Sequence, residues 1–297
     1  MLFWRQRVML ALLQNAPRKR AGKIQMLKWL FLLKEEEGID RYGAFYDFLP
    51  YKHGPFSFVA YKEATELVGG GLIDSTRQSF RLTFRGGRFG AATLDAAPAG
   101  CVARIMRTYG RFPQRRLVQY VYHNYPWYAS RSTTRQTATA TTSKRLQPGV
   151  FCIGYEGLSI DAFLNAILKG RLTDLADVRS NAVSRKFGFS KPSLAKKCQD
   201  VGIEYHHYPE LGIPAPFRRN TKTNRRLWHT YRAAILPKAA ATFRDLVELC
   251  RQQRTGLLCF EKESGECHRW ILAQEIRARA GIPIYQYHWD SGKWRKS

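Results

Sequence analysis

The sequence predicts an α/β protein: a doubly wound parallel sheet in the carboxy-terminal half, preceded by a winged-helix domain. Two observations carry this. Residues 149–297 alternate short apolar strands with helices, the pattern of a parallel sheet covered on both faces. Residues 1–95 run helix, helix, strand, helix and a two-stranded wing. A chain of 297 residues, 44% of them hydrophobic, can bury a core in each half. The reading divides the chain into a winged-helix domain, 1–95, a basic helical and loop connector, 96–148, and an α/β domain, 149–297, that would hold the chemistry.

In the first half, Met1–Leu13 is interrupted by Arg5 and Arg7, so it reads as an amphipathic helix rather than a signal peptide. Leu27, Leu30, Phe31 and Lys34 form a helical stripe across Lys23–Glu37, which Gly38 ends. Ala44–Tyr51 alternates as a strand, His53–Ser57 turns, and Phe56–Val68 is helical until Gly69-Gly70-Gly71 breaks it. Leu72–Ser75 and Phe80–Phe84 pair around Thr76–Ser79.

In the second half, strands are expected at Val150–Gly154, Leu172–Asp177, Ile203–Tyr208, Gly256–Phe260 and Ile282–Tyr287. Helices lie between them: Ser159–Leu168, Lys191–Val201, most of Thr221–Gln253 with a break at Pro237, and Cys267–Ala280, ended by Gly281.

Charge narrows the function. Lys and Arg number 49 against 23 Asp and Glu, a formal net charge of +26. Such a chain attracts polyanions, with nucleic acid first and an anionic membrane second. No run reaches the roughly 18 apolar residues of a membrane span, and the partner expected is DNA, with no membrane. Six scattered cysteines without a secretory signal suit reduced thiols in the cytoplasm. Between Asp95 and Glu156 there is no acid, and Ser130–Ser143 reads as a loop that could order on phosphates. Arg115, Arg116 and Arg131 fall in this interval and are expected to touch DNA. So are Arg218, Arg219, Lys222, Arg225, Arg226 and Trp228 of the acid-free segment Pro214–Arg244, where Phe217 and Tyr231 add further rings. Bases for phosphates and flat rings for stacking suit a displaced nucleotide. The tail Trp289–Lys296 repeats the mixture.

Ligands of doubly wound sheets bind outside the carboxyl ends of the strands. The residues that follow each strand form one set. After the first come Gly154, Tyr155, Glu156 and Gly157; after the second Asp177, Arg179, Ser184 and Arg185; from the third Tyr205, His207 and Glu210; from the fourth Cys259 and Glu261. The next helix opens Cys267-His268-Arg269. Asp177, Glu261 and Arg179 are the catalytic candidates. Tyr155, Glu156, Ser184, Arg185, Tyr205, His207, Glu210, Cys259, Cys267, His268 and Arg269 are the candidate pocket. Gly154–Gly157 suits a tight strand–helix turn better than a phosphate loop. Cys259, Cys267 and His268 have zinc-ligand chemistry, but the spacing lacks a clear fourth ligand and adjacent ligands chelate poorly. They read as structural thiols, with no metal or cofactor expected. Glu261, straight after an apolar strand, suits an acid or base, or an ion pair with Arg269.

Two resemblances follow. Lys23-x3-Leu27-x2-Leu30, Tyr51-x2-Gly54-Pro55-Phe56-Ser57, Leu67-x4-Leu72-Ile73 and Tyr120-Val121-Tyr122-x2-Tyr125-Pro126-x-Tyr128-x2-Arg131-Ser132 resemble a winged-helix family with antitoxin-like and phage-associated members. That implies duplex binding or protein interaction. Ile153-Gly154-Tyr155-Glu156-Gly157, Asp177-Val178-Arg179-Ser180, Ser184-Arg185-x3-Phe189-Ser190, Tyr205-x2-Tyr208-Pro209-Glu210-Leu211-Gly212, Cys259-x-Glu261 and Cys267-His268-Arg269 resemble the domain of unknown function numbered 488, over residues 150 to about 280. The resemblance implies a Rossmann-like fold with a shared pocket, and the basic segment Pro214–Arg244 departs from it.

The function expected is a DNA glycosylase that excises a modified, perhaps glycosylated, phage base from duplex DNA by way of an extruded nucleotide. One alternative is a nuclease with magnesium on Glu156, Asp177, Glu210 and Glu261. The other is a non-enzymatic regulator with a nucleotide-sensing domain.

Overall fold

The computed structural model describes residues 2–89, 94–133, 146–214, 224–263, 265 and 267–297, with backbone alone at 224–226. The chain forms two compact units, Met1–Ala138 and Thr139–Ser297.

The first unit contains α1 (Trp4–Asn15), β1 (Arg20–Gly22), α2 (Lys23–Glu35), β2 (Leu49–Tyr51), β3 (Gly54–Phe56), α3 (Phe58–Gly69), β4 (Ile73–Ser75), β5 (Ser79–Leu82), α4 (Phe84–Gly87), α5 (Ala96–Tyr109), α6 (Gln114–Asn124) and α7 (Pro126–Ala129). The hairpin β4–β5 forms as expected, with Ile73 opposite Leu82, and β1 joins it as a third antiparallel strand. The strand expected over Ala44–Tyr51 shrinks to β2. It pairs only with β3, where Pro50 faces Pro55, and two prolines remove the donors a longer ladder needs. The expected connector is not a connector up to Ala129. Cys101, Val102, Ile105, Leu117 and Val121 from α5 and α6 share one core with Leu30 and Phe31 of α2. The basic outer faces of these helices disguise an apolar inner stripe.

The second unit contains β6 (Gly149–Gly154), α8 (Ile160–Lys169), β7 (Asp174–Asp177), α9 (Lys191–Asp200), β8 (Glu204–His207), α10 (Asn224–Thr230), a π-helical turn (Tyr231–Ile235), α11 (Leu236–Lys238), α12 (Ala240–Gln252), β9 (Arg254–Cys259), α13 (His268–Ala280), β10 (Ile284–His288) and β11 (Lys293–Lys296). The sheet order is β11-β10-β6-β9-β7-β8. Its strands are parallel except β11, which lies antiparallel along β10. This is the doubly wound α/β arrangement expected. Val150, Cys152, Ala176, Leu257 and Ile284 form one face, packed under α12, α13 and the segment from Leu227 to Ala239. The other face carries Phe151, Ile153, Leu175 and Leu258, all buried. There α8 packs its Phe163 ring 5.3 Å from that of Phe189.

In two basic, aromatic segments the described rings pack inward. Tyr231 is fully buried and donates its hydroxyl to Leu211 O at 2.7 Å, and Trp228 packs half-buried on the same core. The tail becomes β11: Trp294 meets the Phe151 ring edge-on at 5.2 Å and donates Nε1 to Ala166 O at 2.9 Å. Among the described residues no helix is long and apolar enough to cross a membrane.

Candidate functional site

The carboxyl edge of the parallel sheet gathers the expected residues, and the pleat then sorts them. Side chains alternate along a strand. Asp177 pairs in register with Leu258 of β9, whereas Cys259 lies one residue further on. Asp177 and Cys259 therefore point to opposite faces. Two clusters result, not one.

The first cluster lies on the α8 face. Asp177 is fully buried and Arg179 nearly so. Arg179 Nε donates to Asp177 Oδ1 at 2.8 Å and its NH2 to Oδ2 at 2.5 Å. The Arg179 backbone N–H adds 3.1 Å to Oδ1, and the Tyr205 hydroxyl 2.6 Å to Oδ2. Arg179 NH1 reaches Tyr155 Oη at 3.2 Å and Phe189 O at 2.9 Å. Tyr155 stacks on Phe189 at 4.3 Å and reaches Ser184 Oγ at 3.4 Å. Burial opposes the Arg179 charge, but the hydrogen bonds and charge of Asp177 outweigh it and raise the guanidinium above its usual value. Burial and the Asp177 charge likewise push Tyr205 well above the ordinary phenol range. His207 Nε2 meets Arg179 O at 3.0 Å, while His206 turns to the other face and pairs with Asp174 at 2.8 Å. Asp177 and Arg179, expected as catalytic, are thus consumed by the fold. Four donors fill the two carboxylate oxygens, which leaves them no room for a magnesium ion or a substrate.

The second cluster lies at the end of β9 and the start of α13. Cys259, Cys267 and His268 are buried, and their ligand atoms lie within 4.8 Å of one another. His268 Nδ1 is 3.9 Å from Cys259 Sγ and 3.8 Å from Cys267 Sγ. Its Nε2 is held by Val178 O at 2.9 Å. Cys259 Sγ donates to Glu261 Oε2 at 2.9 Å. A hydrogen bond from Cys267 draws the Cys259 thiol well below its usual range, while burial and the neighbouring sulfur push Cys267 up. Buried Arg269 donates to the backbone carbonyls of Glu261 at 2.6 Å and Lys262 at 3.0 Å. The guanidinium so shapes the loop that carries Glu261.

Glu261 itself is half-buried and sits on the rim. Glu156 is exposed and accepts the Lys262 backbone N–H at 2.9 Å. Arg185 is exposed on the loop after β7, and Glu210 on the short turn after β8. A side chain at Gly154 would lie 1.7 Å from Glu261 O, so Gly154 is required by the close approach of two strand ends, as a turn residue rather than a phosphate loop.

Three rim residues carry no role in the sequence reading. Phe260 is 45% exposed and edge-on to Tyr155 at 5.3 Å. Lys186 donates Nζ to Tyr155 O at 2.9 Å. Phe189 forms the floor under Tyr155. A large apolar residue between two polar ones at a strand's carboxyl end was the available signal for Phe260.

Arg115, Arg116 and Arg131 are exposed and belong to the first unit. Arg115 lines a cavity of about 490 Å³ with His53, Gln114, Gln119 and Tyr122, and Arg116 lies 4.0 Å over the Phe112 ring. Arg218, Arg219 and Lys222, most of the loop Ser130–Ser143, and the side chains of Arg225 and Arg226 lie outside the described residues.

No curated protein matches the chain. Residues 159–276, in the carboxy-terminal half, match the model of the family described as Domain of unknown function DUF488.

Proposed function

We propose that this protein is a DNA glycosylase that hydrolyses the N-glycosidic bond of a modified, glycosylated phage base, leaving an abasic site, as an anti-phage defence. What carries the reading is the rim. A half-buried carboxylate, Glu261, directly follows an exposed ring, Phe260, at the carboxyl edge of a parallel sheet in a chain of net charge +26. Extrusion of a nucleotide requires a surface on which the freed base can stack, and Phe260 offers one. Cleavage of the base–sugar bond passes through an oxocarbenium-like sugar that a carboxylate stabilises or relieves by activating water. Glu261 takes that role, and the buried Asp177–Arg179 pair holds the loop after β7 in place. Arg185 serves the phosphates. A modified target fits because excision of ordinary bases would injure the host.

The test is incubation of wild type and Glu261→Gln with plain and base-glycosylated phage DNA, with abasic sites scored chemically and the released product weighed by mass spectrometry. Free modified base and abasic sites are expected from modified DNA only, with the Glu261→Gln rate lower by about 100-fold or more. Absence of abasic sites on every substrate refutes the proposal. Strand breaks without a released base would point instead to a nuclease.

A further inference from the structure

We infer that Cys259, Cys267 and His268 bind a zinc ion through two thiolates and the imidazole Nδ1, with the fourth position facing Glu261. The inference stands apart from the proposed function, since it concerns what the cluster holds rather than which bond is cut.

The separations are close to those of a tetrahedral site. With Zn–S near 2.3 Å and Zn–N near 2.0 Å, neighbouring sulfur and nitrogen ligands lie roughly 3.6 Å apart. The Nδ1–Sγ separations of 3.9 and 3.8 Å need only a few tenths of an ångström of closure. They are too long for strong hydrogen bonds.

The tautomer also fits. Because Nε2 faces the Val178 carbonyl at 2.9 Å, it carries the proton, and the Nδ1 lone pair points at the sulfurs. A backbone carbonyl on the far nitrogen is the usual outer partner of a metal-bound histidine.

The spacing objection is answered locally. Cys267 is the residue before α13, with φ −134° and ψ 138°. That extended conformation, followed at once by a helical residue, turns two consecutive side chains toward the same point. Charge is balanced as well. Two thiolates neutralise the dication, and the two thiol protons pass to solvent on binding. Tyr231, 5.5 Å from the His268 ring, walls one side. Glu261 Oε2, 2.9 Å from Cys259 Sγ, marks the rim side. Three protein ligands leave the fourth position to Glu261 or to a water beside it, the ligand count of a hydrolytic rather than a closed structural zinc site.

The experiment uses the full chain, reduced and stripped with a chelator, then titrated with zinc or cobalt(II) alone. About one zinc per chain is expected by mass spectrometry of the metal. The cobalt form should show thiolate-to-metal charge transfer and the intense visible bands of a tetrahedral site. Cys259→Ser should lose the charge-transfer intensity and bind zinc at least about tenfold more weakly. Glu261→Gln and Cys250→Ser, the latter changing a buried thiol of the sheet's core, should keep the full zinc content. Circular dichroism confirms that each variant is folded. Folded wild type with background zinc overturns the inference. So does loss of zinc in Glu261→Gln, or a Cys259–Cys267 disulfide in the native protein. Abasic-site formation is followed in parallel: zinc uptake without it refutes the glycosylase reading alone, and undiminished activity of folded, zinc-free protein refutes a catalytic role for the metal alone.

Discussion

At the carboxyl ends of β7 and β9 two polar clusters lie on opposite faces of the sheet. On one side Asp177 and Arg179 form a bidentate ion pair that Tyr205 completes. On the other, two thiols and an imidazole converge at distances longer than strong hydrogen bonds. Both are buried and both come from residues a sequence reading would nominate for chemistry. The difference is saturation. In the first, each carboxylate oxygen already has two donors, so the group is spent on architecture. In the second, soft donors face a common point. Burial alone does not make a polar residue structural, and an ionisable type at a strand end does not make it catalytic; the count of partners separates the two.

The sharpest way to break this comparison is Asp177→Ala. It strands the Arg179 charge in the interior, which typically costs about 3–5 kcal/mol. Chemical denaturation followed by fluorescence should show a loss of that size. A loss below about 1 kcal/mol would mean that water reaches Arg179 and that the knot is not architectural.

A third buried charge sharpens the contrast, because it has no carboxylate. Lys28 in α2 is 1% exposed and donates to Pro55 O at 3.0 Å. Burial pushes its pKa down to about 7, whereas burial beside Asp177 leaves Arg179 raised. An unfolded lysine titrates near 10.4. Between about pH 7 and 10 the unfolded chain therefore binds the extra proton, and stability climbs with pH across that window. The total is on the order of 4 kcal/mol, nearly all of it reached by pH 10. Below about pH 7 both states are protonated and this contribution is flat. Urea midpoints at several pH values should rise for wild type and rise much less for Lys28→Met. Equal slopes in the two proteins would show that Lys28 stays charged in the fold.

Much of this was legible in the residues. The parallel strands announce themselves as short apolar runs, and their carboxyl ends name Tyr155, Asp177, His207, Cys259 and Glu261 without coordinates. The pleat was legible too: it predicts that His206 and His207 part company, as they do. What was hidden is the register between strands. Nothing local says that Asp177 stands opposite Leu258 rather than Cys259, and that single offset divides the expected cleft into two clusters. Composition misled in the opposite direction. The basic segments around Tyr231, Trp294 and Cys101 look like surfaces for a polyanion, yet each also sends apolar side chains into a core, because charge reports the outer face of an amphipathic element and says nothing of the inner one.

The smallest effect tests the completeness of the knot. Tyr205→Phe removes the donor 2.6 Å from Asp177 Oδ2 and keeps the ring. If the hydroxyl is part of the knot, its loss leaves the buried Asp177 carboxylate short of one bond, at about 1–3 kcal/mol. The double variant with Asp177→Asn isolates the coupling between hydroxyl and carboxylate. Once the carboxylate charge is gone, the hydroxyl has a weaker acceptor, so the cost of Tyr205→Phe should shrink by about half or more. Strict additivity would mean that the hydroxyl contributes independently of Asp177 and that Arg179 by itself satisfies the carboxylate.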